Sequence, residues 1–276
     1  MYPTPFDYYR ASSVHNALEL LLAHEGSKLL SGGHSLVPAM KLRLASPSAL
    51  IDISQLPELQ GIRQDGETLI IGAGVTYAQI IQSELLAQHC PLLPEVAAWV
   101  GDPMVRNCGT LGGSLAHADP SADYPASMLA LEASFKLVST SGERVVAAAD
   151  FFQGLFETAK RDDELLTEIH IPLLHGAKMA YEKFKHPASH YAIVGVAVVL
   201  TESGARIGLT GAGPRATRLS KVEAALGTDY SERNAERATE DAVDAGELLG
   251  DRFASAEYRA HLATVYARRA IARASA

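Results

Sequence analysis

The sequence predicts an α+β chain with a larger first domain and a smaller second one. Three observations carry this. The chain has 276 residues, more than one hydrophobic core comfortably serves. Strand-length apolar runs and short helical patterns interleave through residues 1–175, with a change of pattern around Leu173–Ala177. Beyond it, two strand-like runs are followed by a helical block rich in Ala, Glu and Arg. The expected division is 1–175 and 176–276, with the first part divided again near residue 57.

The elements follow in order. Ser12-Ser13 precedes a helix expected from Val14 to about His24, with Ala17, Leu18, Leu21 and Leu22 as its apolar stripe. Lys28–Leu30, Ala49–Ile53 and Thr68–Val75 read as strands. Thr76 is a cap for a helix with Ile80, Ile81 and Leu85 on its buried side, and Leu92–Val100 is a further short helix. FKLVS and ERVVAAA form a hairpin around Gly142, and Glu164–Pro172 a strand ended by proline. In the second domain AIVGVAVVLT and ARIGLTGAG turn at Ser203-Gly204, and helices are expected over 217–226, 232–249 and 255–274.

Composition excludes several classes. Apolar residues are 47% and charged residues 20%, the balance of a folded chain rather than a disordered one. A net charge of −8 lacks the basic face that nucleic acid requires. The first ten residues, MYPTPFDYYR, have neither the basic nor the apolar region of a signal peptide. The longest apolar run, Tyr191–Leu200, is too short to span a bilayer, so a cytoplasmic location is expected. Cys90 and Cys108 are the only cysteines. An iron–sulfur cluster needs about four thiolates, so this chain cannot hold one alone. Cys90 reads as a buried thiol, and no metal site or catalytic acid, base or nucleophile is assigned.

Two glycine-rich segments remain, SGGHS (Ser31 to Ser35) and TLGGS (Thr110 to Ser114). Glycine permits positive φ and close approach to the main chain, and consecutive N–H groups in such turns make a concavity for phosphate oxygens. Hydroxyls flank both pairs, so the two could face one pyrophosphate from opposite sides. Neither is a Walker A sequence, and IGAG (Ile71 to Gly74) lacks the GxGxxG spacing. Ordinary tight turns are the competing reading.

SGGHSLVPAMKLRL, VRNCGTLGGSLAHADPSADYPA and EKFKHPASHYAIVGVAV resemble, in this order, three regions of the FAD-binding medium subunits of molybdenum hydroxylases, of the carbon monoxide dehydrogenase and xanthine dehydrogenase family. The resemblance covers essentially the whole chain. It implies a vanillyl-alcohol-oxidase type (PCMH-type) FAD-binding domain of two α+β subdomains, plus a small C-terminal α+β domain with an antiparallel sheet and helices. It implies non-covalent FAD with its pyrophosphate between the two segments. The first contact set is then Lys28, Leu29, Leu30, Ser31, Gly32, Gly33, His34, Ser35 and Leu36, and the second Thr110, Leu111, Gly112, Gly113 and Ser114. Many relatives carry Asn where this chain has the shorter Ser114. Asp123 resembles the acid that accepts from FAD ribose or ribityl hydroxyls. Leu166 matches a main-chain contact to the flavin edge, Lys183 a basic residue near the flavin, and Tyr191 a residue beside the isoalloxazine.

The resemblance also implies partners. A large molybdenum-cofactor subunit hydroxylates substrate, and a small subunit with two [2Fe–2S] clusters feeds electrons through FAD to an external acceptor, in a heterotrimer or a dimer of heterotrimers. A stand-alone FAD-dependent reductase of the same fold is the alternative. Several residues stay open between roles: His34 also reads as a cap of its own turn, His117 as packing, Asp119 as a cap at Pro120, Tyr191 as a strand core residue, and Arg106 and Lys41 as surface charges.

Overall fold

The computed structural model describes residues 2–276. Its first unit is a three-stranded parallel sheet. The elements run β1 (Asp7–Arg10), α1 (Val14–Ala23), β2 (Lys28–Leu30), α2 (Leu36–Lys41) and β3 (Ala49–Asp52). Strand order is β1-β3-β2, with Tyr9 and Leu29 both opposite Ile51. The Ser13 hydroxyl accepts from the Asn16 N–H and starts α1. Ala17 and Leu18 are buried as expected, whereas Leu22 faces solvent, so the apolar stripe is narrower than the sequence indicated.

The second unit is a five-stranded antiparallel sheet with a helical excursion between its second and third chain segments. It contains β4 (Ile62–Asp65), β5 (Thr68–Gly72), α3 (Tyr77–Gln82), α4 (Glu84–His89), α5 (Leu92–Trp99), α6 (Pro103–Cys108), α7 (Leu111–His117), α8 (Tyr124–Ala130), β6 (Ser134–Ser139), β7 (Gly142–Ala147), α9 (Ala148–Phe151), β8 (Phe152–Gly154), β9 (Glu157–Thr158) and β10 (Leu165–Pro172). Strand order is β4-β5-β10-β6-β7, with β8 and β9 as a separate pair. Thr76 and Gln79 form a reciprocal capping box at α3. Ser83 then ends α3 and caps α4 through Leu86 N–H. That break corrects the expected single helix: Ile80 and Leu86 are buried, and Ile81 is exposed.

The third unit has β11 (Lys178–Lys185), β12 (Ala192–Thr201), β13 (Gly204–Thr210), β14 (Thr217–Arg218), α10 (Ser220–Leu226), α11 (Glu232–Ala238) and α12 (Ala256–Ser275). The sheet is antiparallel in order β11-β12-β13-β14. β12 is apolar almost throughout because both of its faces are covered. Ala197 and Val199 join the core of the five-stranded unit, while Val194, Val196, Val198 and Leu200 pack under the C-terminal helices. The helix expected over 232–249 stops at Ala238. Thr239 turns its hydroxyl back onto the Ala235 carbonyl, and Asp244 accepts from Gly246 N–H to open a separate 3₁₀ turn.

One ion cluster ties β7 to the loop between β9 and β10. Glu164 is almost fully buried and accepts two hydrogen bonds from Arg144, at 2.6 and 2.8 Å. It accepts further from the main-chain N–H and side chain of Arg161. The Arg144 fork beside it holds its carboxyl at about 2, far below the ordinary 4.5. A depressed carboxyl contributes stability in full above its unfolded value and loses it as pH falls toward the folded one. Glu164→Gln should therefore destabilise the chain by on the order of 3 kcal/mol at neutral pH. Urea denaturation across pH should show that difference shrinking below pH 4.5 and disappearing near pH 2.

Candidate functional site

The first glycine segment leaves the C-terminal end of β2. Ile53 N–H donates to Leu30 O and fixes where the strand ends. Gly33 has φ +71°, the left-handed region that a side chain disfavours. Its carbonyl accepts from Val37 N–H, so the turn passes directly into α2, of which Leu36 is the first residue. His34 Nδ1 lies 2.9 Å from Gly32 O, a contact within its own turn.

The second segment is a helix start rather than a loop. Thr110 caps α7, its hydroxyl accepting from Gly113 N–H at 3.1 Å. Leu111 N–H donates to Val75 O, and Gly112 N–H to Ala73 O, both at 2.9 Å. A Cβ on Gly112 would collide with Ala73. IGAG is thus the main-chain bed on which this turn lies. The consequence corrects the expected concavity: the Leu111, Gly112 and Gly113 donors already have protein partners, and what this side offers is hydroxyls.

The two segments meet. Ser31 Oγ and Thr110 Oγ1 are 3.1 Å apart, and a Cβ on Gly32 would run into the Cys108 carbonyl. Main chain lies against main chain there, between units that are separate in the strand order. Cys108 is exposed and Cys90 is buried, with burial pushing the Cys90 thiol up to about 12.

Asp123 stands at the start of α8 and is buried. The Tyr181 hydroxyl donates to its Oδ1 at 2.5 Å and Lys183 Nζ to its Oδ2 at 2.8 Å. Lys183 also donates to Trp99 O at 3.2 Å. Burial pushes the Asp123 carboxyl up, and the Lys183 ammonium opposes it. Two residues expected on separate grounds, Asp123 and Lys183, are therefore one buried ion pair. The preceding turn is pinned to the third unit: Thr210 donates to Pro120 O and Ala122 O, and Gly211 N–H to Pro120 O. Asp119 caps that turn through Ser121 N–H, and His117 packs against the Phe156 ring.

The remaining expected residues divide. Tyr191 is 44% exposed and precedes β12, so it is not a core residue of that strand. Leu166 is buried in β10 opposite Leu137, beside an irregularity at Thr167 whose carbonyl accepts from Ala73 N–H. Leu166 thus borders the Ala73–Val75 bed. Arg106 is no free surface charge, since it donates to Val100 O at 3.0 Å, whereas Lys41 is exposed. The sequence reading missed Tyr181 and Tyr77. Tyr181 lies two residues before Lys183 on a strand, hence on the same face, a signal available in YEKF. Tyr77 stacks on Tyr124 at 5.4 Å, and its ring abuts Gly109. Only the fold brings it there.

A two-unit α+β domain whose glycine turns meet main chain to main chain, carrying a smaller antiparallel domain, is the class that this arrangement defines. Residues 4–174 match the FAD binding domain in molybdopterin dehydrogenase, and residues 179–274 match the CO dehydrogenase flavoprotein C-terminal domain. The chain belongs to that family, as an FAD-binding medium subunit of carbon monoxide dehydrogenase-type molybdenum hydroxylases, and is an oxidoreductase subunit. It is 39% identical to the carbon monoxide dehydrogenase medium chain of Hydrogenophaga pseudoflava, over 98% of this chain and 97% of that one. It is 37% identical to the 6-hydroxypseudooxynicotine dehydrogenase complex subunit alpha of Paenarthrobacter nicotinovorans, over 99% and 96%. The solved Hydrogenophaga pseudoflava carbon monoxide dehydrogenase lacking the Mo-pyranopterin moiety superposes with a TM-score of 0.95, at 39% identity, covering 100% of this chain and 99% of that one. The expected family, fold class and cofactor are borne out.

Removing one partner of a buried ion pair leaves an uncompensated charge, at a cost of roughly 3–5 kcal/mol. Lys183→Met should therefore destabilise the chain by about that amount. Lys183→Met with Asp123→Leu should recover much of it. Thermal melts of the two single variants and the double variant measure the coupling.

Proposed function

We propose that this chain holds FAD across the junction of its first two units and serves as the electron outlet of a molybdenum hydroxylase complex. The observation that carries the reading is the meeting of the Gly32 turn with the Cys108–Thr110 turn, with a hydroxyl from each side 3.1 Å apart. The donor set suits the cofactor along its length. The Ser31–Ser35 turn and the Ser31 and Thr110 hydroxyls would hold the pyrophosphate, with Lys28 to Leu30 leading in and Leu36 leading out. Leu111, Gly112 and Gly113 would shape the opposite wall, with Ser114 one turn into α7. Asp123 would accept from sugar or ribityl hydroxyls, and Lys183 would keep that carboxyl charged. The half-exposed Tyr191 ring and the Leu166 main chain would border the isoalloxazine.

When bound, FAD supplies redox capacity that links one-electron donors to an outside acceptor. This chain's residues bind and orient it. Its two cysteines are too few for a cluster. The [2Fe–2S] clusters therefore belong to a small partner subunit and the molybdenum cofactor to a large one, in a heterotrimer or its dimer. Relatives are named as chains of multi-subunit dehydrogenases and hydroxylases, which supports this. Among the described residues no helix is long and apolar enough to cross a membrane, and we place the assembly in the cytoplasm.

The purified chain, supplemented with FAD and desalted, should keep the two visible absorption bands of oxidised flavin. Gly32→Val, which drives a side chain into the Cys108 carbonyl, should lose most of that absorbance while its far-ultraviolet circular dichroism is retained. A wild-type chain that stays colourless both alone and in its purified complex would overturn the reading.

A further inference from the structure

The Asp123 carboxylate is set by groups that lie outside the first two units. β11 is an edge strand, and Tyr181 and Lys183 project from the same face of it toward Asp123. Tyr181 is held at every point. Its main-chain N–H donates to Glu95 of α5 at 3.1 Å, and its carbonyl accepts from Arg273 of α12 at 2.8 Å. Arg273 pairs in turn with Glu95. The ion pair thus occupies both main-chain groups of an edge residue that would otherwise seek another strand.

The Tyr181 ring lies across Gly195 of β12, the residue opposite Lys183 in the strand register. A Cβ on Gly195 would collide with the Tyr181 hydroxyl and come within 2.9 Å of Thr210. Glycine at 195 is what admits the phenol to its place. Tyr181 is fully buried, and burial together with the Asp123 charge raises its own ionisation well above the usual phenol value, so it stays a donor.

We infer that Tyr181 is a positioning residue for Asp123, seated by Gly195 and by the Glu95–Arg273 pair, so that the C-terminal domain sets how tightly the chain holds FAD. The inference rests on the proposed role of Asp123 as the acceptor for FAD hydroxyls. It assigns the small domain a part in cofactor affinity through a residue whose hydroxyl bonds to Asp123.

The groups facing Asp123 are few. Lys183 and Tyr181 come from β11, Tyr77 from α3, Tyr124 from its own helix, and Asp119 and Tyr191 from the flanking turns. Of these, Lys183 and Tyr181 stabilise the ionised carboxylate by hydrogen bonds. Removing the phenol donor raises the Asp123 carboxyl further. The acid limb of FAD binding then moves to higher pH.

The test is the FAD dissociation constant of the full-length deflavinated chain, read by flavin fluorescence across pH. The variants are Tyr181→Phe, Asp123→Asn, Gly195→Ala and Tyr181→Phe/Gly195→Ala, each checked by thermal melt for a folded chain. Tyr181→Phe should weaken binding about ten-fold at neutral pH and shift the acid limb upward. Asp123→Asn should weaken binding and abolish that limb. Gly195→Ala should weaken binding in the wild-type background and add less in the Tyr181→Phe background. If Asp123→Asn leaves the constant unchanged, the proposed role of Asp123 fails and the inference fails with it. If Asp123→Asn weakens binding while Tyr181→Phe lowers affinity equally at every pH, or not at all, the inference alone is overturned. A uniform loss is what general loosening would produce.

Discussion

Lys183 and Asp123 lie almost without solvent contact, 2.8 Å apart. Neither charge is tolerable alone at that depth. Each therefore obliges the other's element to be present, and the other contacts between the units are arranged around that requirement. The turn before α8 is stitched to β13 by Thr210 and Gly211, and to β12 by the Ala192 N–H on Ser121 O. Trp99 at the end of α5 closes over the ammonium with its carbonyl. A domain that could be read as an appendage is thus joined to the cofactor-binding domain by charge as well as by apolar contact.

A second constraint operates where main chain meets main chain. Gly32 lies on the Cys108–Gly109 backbone, and Gly112 on Ala73. The glycine-rich segments earn their composition by letting the protein approach itself. This is why the second segment offers so few free amide donors: its first-turn N–H groups are bonded to Ala73, Val75 and Thr110. A rigid junction results, in which Ser31 and Thr110 present hydroxyls from two different units at a fixed separation. Preorganised donors of this kind lose little on binding a ligand.

The relatives are chains of enzymes named for compounds as different as carbon monoxide and 6-hydroxypseudooxynicotine. Under the proposed function, a chain that binds and orients FAD has no reason to change with that substrate. The fold is shared over essentially the whole length with the solved Hydrogenophaga pseudoflava enzyme, and the sequence match to both relatives spans nearly the whole of each chain.

Local sequence determined a good deal of this protein. Strand-length apolar runs located β2, β3, β5, β6, β7, β10, β12 and β13, because alternation and burial leave a period that can be read directly. Thr76 and Ser13 announced their helices through capping chemistry. The glycine pairs and Asp123, Lys183 and Tyr191 were legible through family resemblance. What stayed hidden depends on neighbours distant in sequence. α2, α6, α7 and α8 are helices of six or seven residues, too short for a helical stripe to repeat in the sequence. The α3–α4 break at Ser83 and the stop after Ala238 are decided by side chains turned onto the main chain. Above all, Tyr181, Gly195, Glu95 and Arg273 lie up to 178 positions apart in the chain and come together near Asp123 only in the folded structure. Residue identity can specify which donors and charges exist. Which of them face one another in a sealed space is set by tertiary packing, because the cost of leaving any of them unpaired arises only once water has been excluded.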